Sequence, residues 1–415
     1  MSAPAAASSP LPATQGRRSA WTLALCQGLF ICAISIDLTL TGLTGYQLAP
    51  DKSLATLPFA LITVAGAIVT WFASLILQRY GRRAGFVLGA LSGAAGGLIS
   101  VWAVWHADFW LFCLGTAAVG VFQAFAQYYR LAAADAVAAP MKSRAISAVM
   151  TGGVIAAIAG PALAAWSRDL IPAALFAGAY LVVALLGLAS AAILLFFYRD
   201  SEATAAAGGA VEAAPPRPLA LIVRQPIFVA ALANTVVGAV SMMFVMTAAP
   251  LAAVACGYGI GDGANIIQWH LVGMYAPSLI AGWLTARIGL ARMLFAGMLL
   301  NAVSAMVAMN SISLPAFYIA LFTLGVGWNF MFVGGSTLLA QSYRPAERGQ
   351  AQGAAEFLRY AATSLATLAA GPALNHFGWA ALNAAMLPVV LLAAVMTLWW
   401  VMAARRAAGA NAQAA

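Results

Sequence analysis

The chain has 415 residues, of which 64% are hydrophobic and only 7% charged, with a mean hydropathy of +0.92; this excludes a water-soluble domain, in which roughly 25% of residues carry charge. The formal charge of +9 comes without a basic face interleaved with aromatics, so no nucleic-acid partner is expected and the basic loops of a membrane protein account for the excess. Cys26, Cys32, Cys113 and Cys256 stand in or beside apolar runs without paired spacing, and no metal-ligand cluster is visible, so neither a disulfide framework nor a metal site is expected.

A backbone in lipid must satisfy its own hydrogen bonds, so crossing about 30 Å of hydrocarbon takes about 20 mostly apolar residues in a helix. Twelve runs meet that requirement: 20–44, 56–78, 84–105, 109–133, 145–166, 172–197, 227–251, 266–286, 293–311, 316–340, 350–373 and 379–402, numbered here as spans 1 to 12. Residues 1–19 form an Ala, Pro and Ser-rich tail ending near Arg17 and Arg18. The apolar run after this tail outlasts a signal peptide, and Leu25 directly before Cys26 argues against a lipoprotein cleavage box, so span 1 is expected to stay uncleaved. The long polar interruption at 198–226, with Pro215-Pro216, separates a six-span bundle at 20–197 from a second at 227–402, and a short tail fills 403–415.

Lys and Arg collect in cytoplasmic loops of membrane proteins, which tests the span count. With both termini inside, sixteen of the twenty basic residues fall on the inner side, two on the outer side (Lys52 and Arg168) and two within spans (Arg130 and Arg359). The localisation expected is a bacterial inner membrane. The halves also repeat. Gln78-Arg79-x-Gly81-Arg82-Arg83 after span 2 recurs as Ala286-Arg287-x-Gly289-x-x-Arg292 after span 8, 208 positions on, and Gly120-Val121 and Pro140 recur at Gly325-Val326 and Pro345, 205 on.

These features resemble the major facilitator superfamily of secondary transporters over essentially the whole chain, and the loop after span 2 is similar to that family's Gly-x-x-x-Asp-Arg-x-Gly-Arg-Arg signature. Here Ser74 replaces the glycine and Gln78 the acid, which puts any gating contact needing a carboxylate in question. The arginine that the family's drug/proton antiporters carry early in span 4 is not evident, and their span-5 signature survives only as Gly160-Pro161. The strings GYQLAPDKSLATLP, QYYRLAAADA and GVGWNFMFVGGSTLL are similar to a bacterial subgroup that includes riboflavin uptake transporters. The resemblance implies an all-α fold of two pseudo-symmetric six-helix bundles and a cavity lined by spans 1, 4, 7 and 10. Its halves would alternate access for a small solute, with H+ as the coupling ion. No nucleotide-binding loop and no nucleophile with a base is visible, so no cofactor and no enzymatic activity is expected, and a monomer is expected.

A charged group near mid-membrane costs roughly 2.5–3.5 kcal/mol on insertion scales, so such groups face a bundle interior or water. Gln123, Gln127 and Arg130 form one helical stripe on span 4 beside Tyr128 and Tyr129. They are expected either to orient a polar or anionic substrate, or to hold a structural arginine paired with Asp135. Asp37, with Thr41 and Thr44, is the first candidate for proton coupling, because a carboxylate shielded from water can exchange its proton as access alternates; the alternative is a carboxylate at the outer interface. Asn234 and Ser241 on span 7, and Trp328, Asn329 and Ser336 on span 10, complete the expected pocket, with plain packing as the alternative for Trp328. Gly334 and Gly335 align with Tyr129 and Arg130, leaving room opposite the arginine.

On span 11, Glu356 and Arg359 can neutralise each other at i, i+3, and Glu356 is the second coupling candidate. His270 beside Trp269 is expected as an interfacial anchor. Arg79, Gly81, Arg82, Arg83, Arg287, Gly289 and Arg292 are expected to latch helix ends when the inner gate closes, or else to set topology alone. Gly81, Gly85, Gly89, Gly93 and Gly97 give span 3 a smooth packing face. Two rival functions remain: an exporter of drugs or metabolites, and a receptor or scaffold that does not transport.

Overall fold

A computed structural model describes residues 13–51, 54, 57–199 and 216–414; most of the 198–226 linker, the first part of the N-terminal tail and Lys52 lie outside the described residues. The fold is all-α. Span 1 is the helix Ala13–Leu48, followed by Leu57–Arg79, Arg82–Trp105, Phe109–Ala126 continued by Tyr129–Asp135, Lys142–Ser167 and Ala177–Phe197. The second half runs Pro226–Ala255, Ile260–Tyr275 with Ser278–Ile288, Leu290–Asn310, Leu314–Ser342, Arg348–Ala384 and Met386–Ala414.

Among the described residues ten helical stretches are long and apolar enough to cross a membrane, with Phe109–Asp135 counted as one across Gln127-Tyr128 and Pro345–Ala407 as a single stretch. The remaining crossings come from two local events. Span 8 breaks at Ala276-Pro277, where proline has no N–H for the ladder, so each piece is too short alone. Spans 11 and 12 run together as one element, but Gly378 (φ 77°) turns the chain between them. Twelve crossings result, and an even number brings the described ends of the chain to one face, with the basic loops.

Within the first half, span 1 packs on spans 5 and 6, and span 4 on spans 2 and 3; in the second, span 7 packs on spans 10, 11 and 12. Span 2 meets span 11, and span 5 meets span 8, across the interface between the halves. Small residues permit the closest approaches. A Cβ at Gly152 would stand 1.8 Å from the Ala24 carbonyl oxygen, so spans 5 and 1 touch backbone to backbone. Along span 3, Gly89 and Gly93 seat Phe125 and Phe122 of span 4. Gly81 and Gly289 hold the same left-handed conformation, both at φ 87°, so the repeated loop is repeated in geometry as well as in sequence. Exposed leucines and aromatics such as Leu91, Trp110, Leu195, Leu299 and Leu391 face outward, as lipid contact requires.

Candidate functional site

The two halves enclose a cavity of about 240 Å³ lined by spans 1, 2, 4, 5, 7, 8, 10 and 11. At its floor Arg130, Glu356 and Arg359 form a buried ionic cluster. Glu356 Oε1 accepts from Arg130 Nη2 at 2.5 Å, and Oε2 accepts from Arg359 Nη2 at 2.8 Å. Arg130 also donates through Nε to Ser336 Oγ at 3.0 Å and through Nη1 to the Gln127 carbonyl at 2.5 Å, while Arg359 Nη2 reaches Gln127 Oε1 at 3.2 Å. Both guanidiniums lie over the Phe332 ring, with Cζ 4.2 Å and 5.6 Å from its centroid. Two cations share one carboxylate, so the floor carries a surplus positive charge.

The walls are of another kind. Met150, Met242, Met243, Met246 and Met274 bring flexible, polarisable side chains into the lining, joined by Phe30, Tyr275, Tyr360 and Trp328. Trp328 stacks on Phe332 with centroids 4.6 Å apart, and its indole N–H has no hydrogen-bond partner among the described residues. Asp37 also lines the cavity. Its Oδ1 accepts from Thr41 at 3.4 Å, and its Oδ2 has no partner among the described residues. Thr41 and Thr44 turn away from the cavity to meet the Tyr180 hydroxyl of span 6, at 3.4 and 3.0 Å.

From the ionic floor down to the basic loops the halves are fastened together. Asp135 Oδ2 accepts from Arg82 at 2.5 Å and from Gln352 Nε2 at 3.1 Å, and its Oδ1 accepts from Tyr343 at 3.0 Å. Lys142 donates to the Ala340 carbonyl, and Ser143 to Thr285 at 2.9 Å. Gln78, where the family signature has an acid, donates to the Ala346 carbonyl at 3.3 Å, and Ser74 packs where a Cβ on Gly353 would fall. Arg217, in the last part of the linker, grips Glu347 through Nε and Nη2, both at 2.7 Å; these hydrogen bonds hold the Glu347 pKa down to about 2.

The Major Facilitator Superfamily model matches this chain twice, over residues 23–275 and 236–415. The chain belongs to that superfamily. The riboflavin transporter RfnT of Brucella anthropi is 40% identical over 383 residues, covering 92% of this chain and 96% of that one. Among solved structures, the proton:xylose symporter XylE bound to 6-bromo-6-deoxy-D-glucose superposes with a TM-score of 0.76 at 14% identity, covering 94% of this chain and 96% of that chain. The transporter FucP in the outward conformation gives 0.68 at 16% identity, covering 92% and 98%. The protein is therefore a multi-pass membrane transporter of a small molecule and not an enzyme.

As a superfamily member, the protein would be expected to place the polar residues of spans 1, 4, 7 and 10 on its cavity. Gln123, Gln127, Arg130, Trp328 and Asp37 do line it, as does Arg359. Tyr128, Asn234 and Asn329 do not, and their assignment to the lining is corrected. The Tyr128 hydroxyl donates to the Thr70 carbonyl at 2.8 Å and ties span 4 to span 2. Asn234 donates to Thr397 at 2.8 Å and joins spans 7 and 12; Asn329 donates to Ser278 Oγ at 2.6 Å and to the Met274 carbonyl at 2.7 Å, bridging the break in span 8. Ser241 lies in a small internal void with Asn301 and Asn383. The amide nitrogens of Asn234 and Asn329 thus find acceptors on neighbouring spans, while their buried amide oxygens have no partner among the described residues.

Four further expectations change. Arg130 pairs with Glu356, and Asp135 pairs with Arg82, so the Arg130–Asp135 alternative is wrong. Gly334 and Gly335 make no room opposite the arginine; they admit Leu294 of span 9 and the backbone of span 7. His270 is fully buried and its ring is hydrogen-bonded through Nδ1 to the Leu321 carbonyl at 2.6 Å, so it is no interfacial anchor. Of the loop arginines, Arg82 enters the joint between the halves, whereas Arg83 donates to the Leu195 carbonyl within its own half. Arg79 and Arg287 lie over Tyr80 and Trp283. The methionine wall, the Tyr343–Asp135 contact and the Arg217–Glu347 grip were not anticipated. A signal for the first stood in Met242-Met243-x-x-Met246, whose i, i+4 members share a helix face.

Proposed function

We propose that the protein imports riboflavin, or a flat solute of the same kind, across a bacterial inner membrane by alternating access coupled to protons. The basic loops and both termini face the cytoplasm, and the bundles at 20–197 and 227–402 rock about the cavity as a monomer. The observation that carries this reading is the cavity's division into a donor-rich floor and a soft aromatic and methionine wall. A heteroaromatic ring matches both, because its edge accepts hydrogen bonds while its faces stack. The 40% identity to a protein named as a riboflavin transporter supports the same substrate.

Asp37 carries the coupling proton in this reading, since it stands in the cavity with an oxygen unpartnered and no ion pair among the described residues. Glu356, the second candidate, acts instead as the shared counter-ion of two guanidiniums. The Arg82–Asp135–Gln352–Tyr343 joint is the gate on the cytoplasmic side, with Gly81 and Gly289 shaping the loops that carry it and Arg79, Arg83, Arg287 and Arg292 at its rim. The methionines would also suit an exporter of lipophilic compounds, and direction of flux in vesicles separates the two.

The test is growth of a riboflavin-requiring, uptake-deficient bacterium at low riboflavin. The wild type should rescue growth, while Arg130→Ala and Asp37→Asn should not. No rescue by well-expressed wild type removes the riboflavin reading; full rescue by both variants removes the site.

A further inference from the structure

Two unpaired chemical demands stand at opposite ends of the cavity. The floor holds the surplus guanidinium charge of Arg130 and Arg359, which calls for an acceptor. The other is Asp37 Oδ2, an acceptor that no donor among the described residues meets. Their separation can be measured along the helices. Phe30 and Phe122 touch, with ring centroids 5.2 Å apart, and set a common level on spans 1 and 4. Asp37 lies seven residues beyond Phe30 and Arg130 eight beyond Phe122, and the spans run in opposite directions. At 1.5 Å per residue their Cα atoms are roughly 20 Å apart along the bundle. Helical side chains lean toward their own N-terminus, so Asp37 and Arg130 lean toward each other and the gap closes to roughly 15 Å.

From this arrangement we infer that Asp37 is a specificity-determining residue that hydrogen-bonds the hydroxyls of a polyol tail, while the acceptor-rich edge of the ring docks on Arg130 and Arg359. The inference rests on the flavin reading and adds to it an orientation and a subsite. Three fused rings bearing a five-carbon polyol reach from the floor to Asp37; the ring system alone leaves that carboxylate unmet. A hydroxyl donating to a carboxylate is charge-assisted, which makes its loss costly. The solute enters ring first, and the carboxylate at the upper wall reads the polyol behind the ring.

The experiment compares two probes on purified protein by quenching of flavin fluorescence. One is riboflavin; the other is lumiflavin, the same tricycle with a methyl group in place of the polyol. The wild type should bind riboflavin about tenfold or more tighter than lumiflavin. Asp37→Val should bring the two affinities within about twofold, and Asp37→Asn, which keeps an acceptor but not its charge, should fall between. Arg359→Gln should weaken both probes by a similar factor. Binding ratios without a gradient do not register a loss of proton coupling, so they isolate the tail contact. An unchanged ratio in Asp37→Asn or Asp37→Val overturns the inference, and so does a wild type that does not distinguish the probes. A wild type that binds neither flavin overturns the riboflavin reading itself.

Discussion

Removing the charge of Glu356 should unbalance the centre of the molecule. Its carboxylate is 1% exposed and touches guanidiniums at 2.5 Å and 2.8 Å from both halves. At an effective dielectric of about 20, two opposite charges 4 Å apart attract by roughly 4 kcal/mol, and here one anion holds two such partners. Glu356→Gln leaves Arg130 and Arg359 facing each other across Phe332 without a counter-ion. Breaking a buried pair by removing one partner costs about 3–5 kcal/mol. Thermal unfolding of the purified transporter, monitored by tryptophan fluorescence, should therefore show a melting point lowered by several degrees. Arg359→Gln in the same background removes one of the stranded cations, so the double variant should be less destabilised than the two single losses added together, by about 1 kcal/mol or more. Simple additivity, or a Glu356→Gln protein that melts with the wild type, would refute the shared counter-ion.

Three other outcomes are expected from the packing and the gate. Asp135→Asn weakens a joint in which Tyr343 and Gln352 reach across the halves to a carboxylate that Arg82 holds from its own half, so a cysteine placed at the buried Ala132, in a background without native cysteines, should be alkylated about tenfold faster from the side of the basic loops. Gly152→Val pushes a side chain into the Ala24 carbonyl and should lower stability by about 1–3 kcal/mol or more, whereas Gly371→Ala meets nothing within 4 Å and should be neutral or stabilising by about 0.4–1 kcal/mol; apparent melting points separate them. The folded-state pKa of Glu347 is depressed to about 2 from its ordinary 4.5, so its contribution is complete above pH 4.5 and is lost as pH falls toward 2. The melting-point difference between wild type and Glu347→Gln should thus be constant from pH 8 to about 5 and shrink below that.

The architecture was legible because its governing constraints are local. Apolar length, loop charge and a repeated glycine each act within a few residues, so twelve spans, two halves and the matched turns at Gly81 and Gly289 could be read along the chain. The break in span 8 and the turn between spans 11 and 12 also had local causes, at Pro277 and Gly378. The site was legible only by half. Helical periodicity tells which residues share a stripe, and Gln123, Gln127 and Arg130 do face one cavity.

Periodicity does not tell which stripe stands opposite. Arg130 finds its carboxylate 226 positions away, and Asp135 finds Arg82 53 positions back, because crossing spans bring distant levels together. Asp135 was the nearer acid in sequence, but it sits five residues on, past the side of the helix that Arg130 occupies. Amides mislead for a related reason. In lipid the N–H groups of a buried Asn seek acceptors wherever they fall, so Asn234 and Asn329 carry the same sequence signal as a ligand-binding amide while their amide nitrogens tie span to span. What separates the two uses is whether a polar atom remains unpartnered at a cavity wall. Asp37 and Trp328 meet that criterion, whereas the unpartnered oxygens of Asn234 and Asn329 belong to residues that do not line the cavity, which is why the former carry the functional argument.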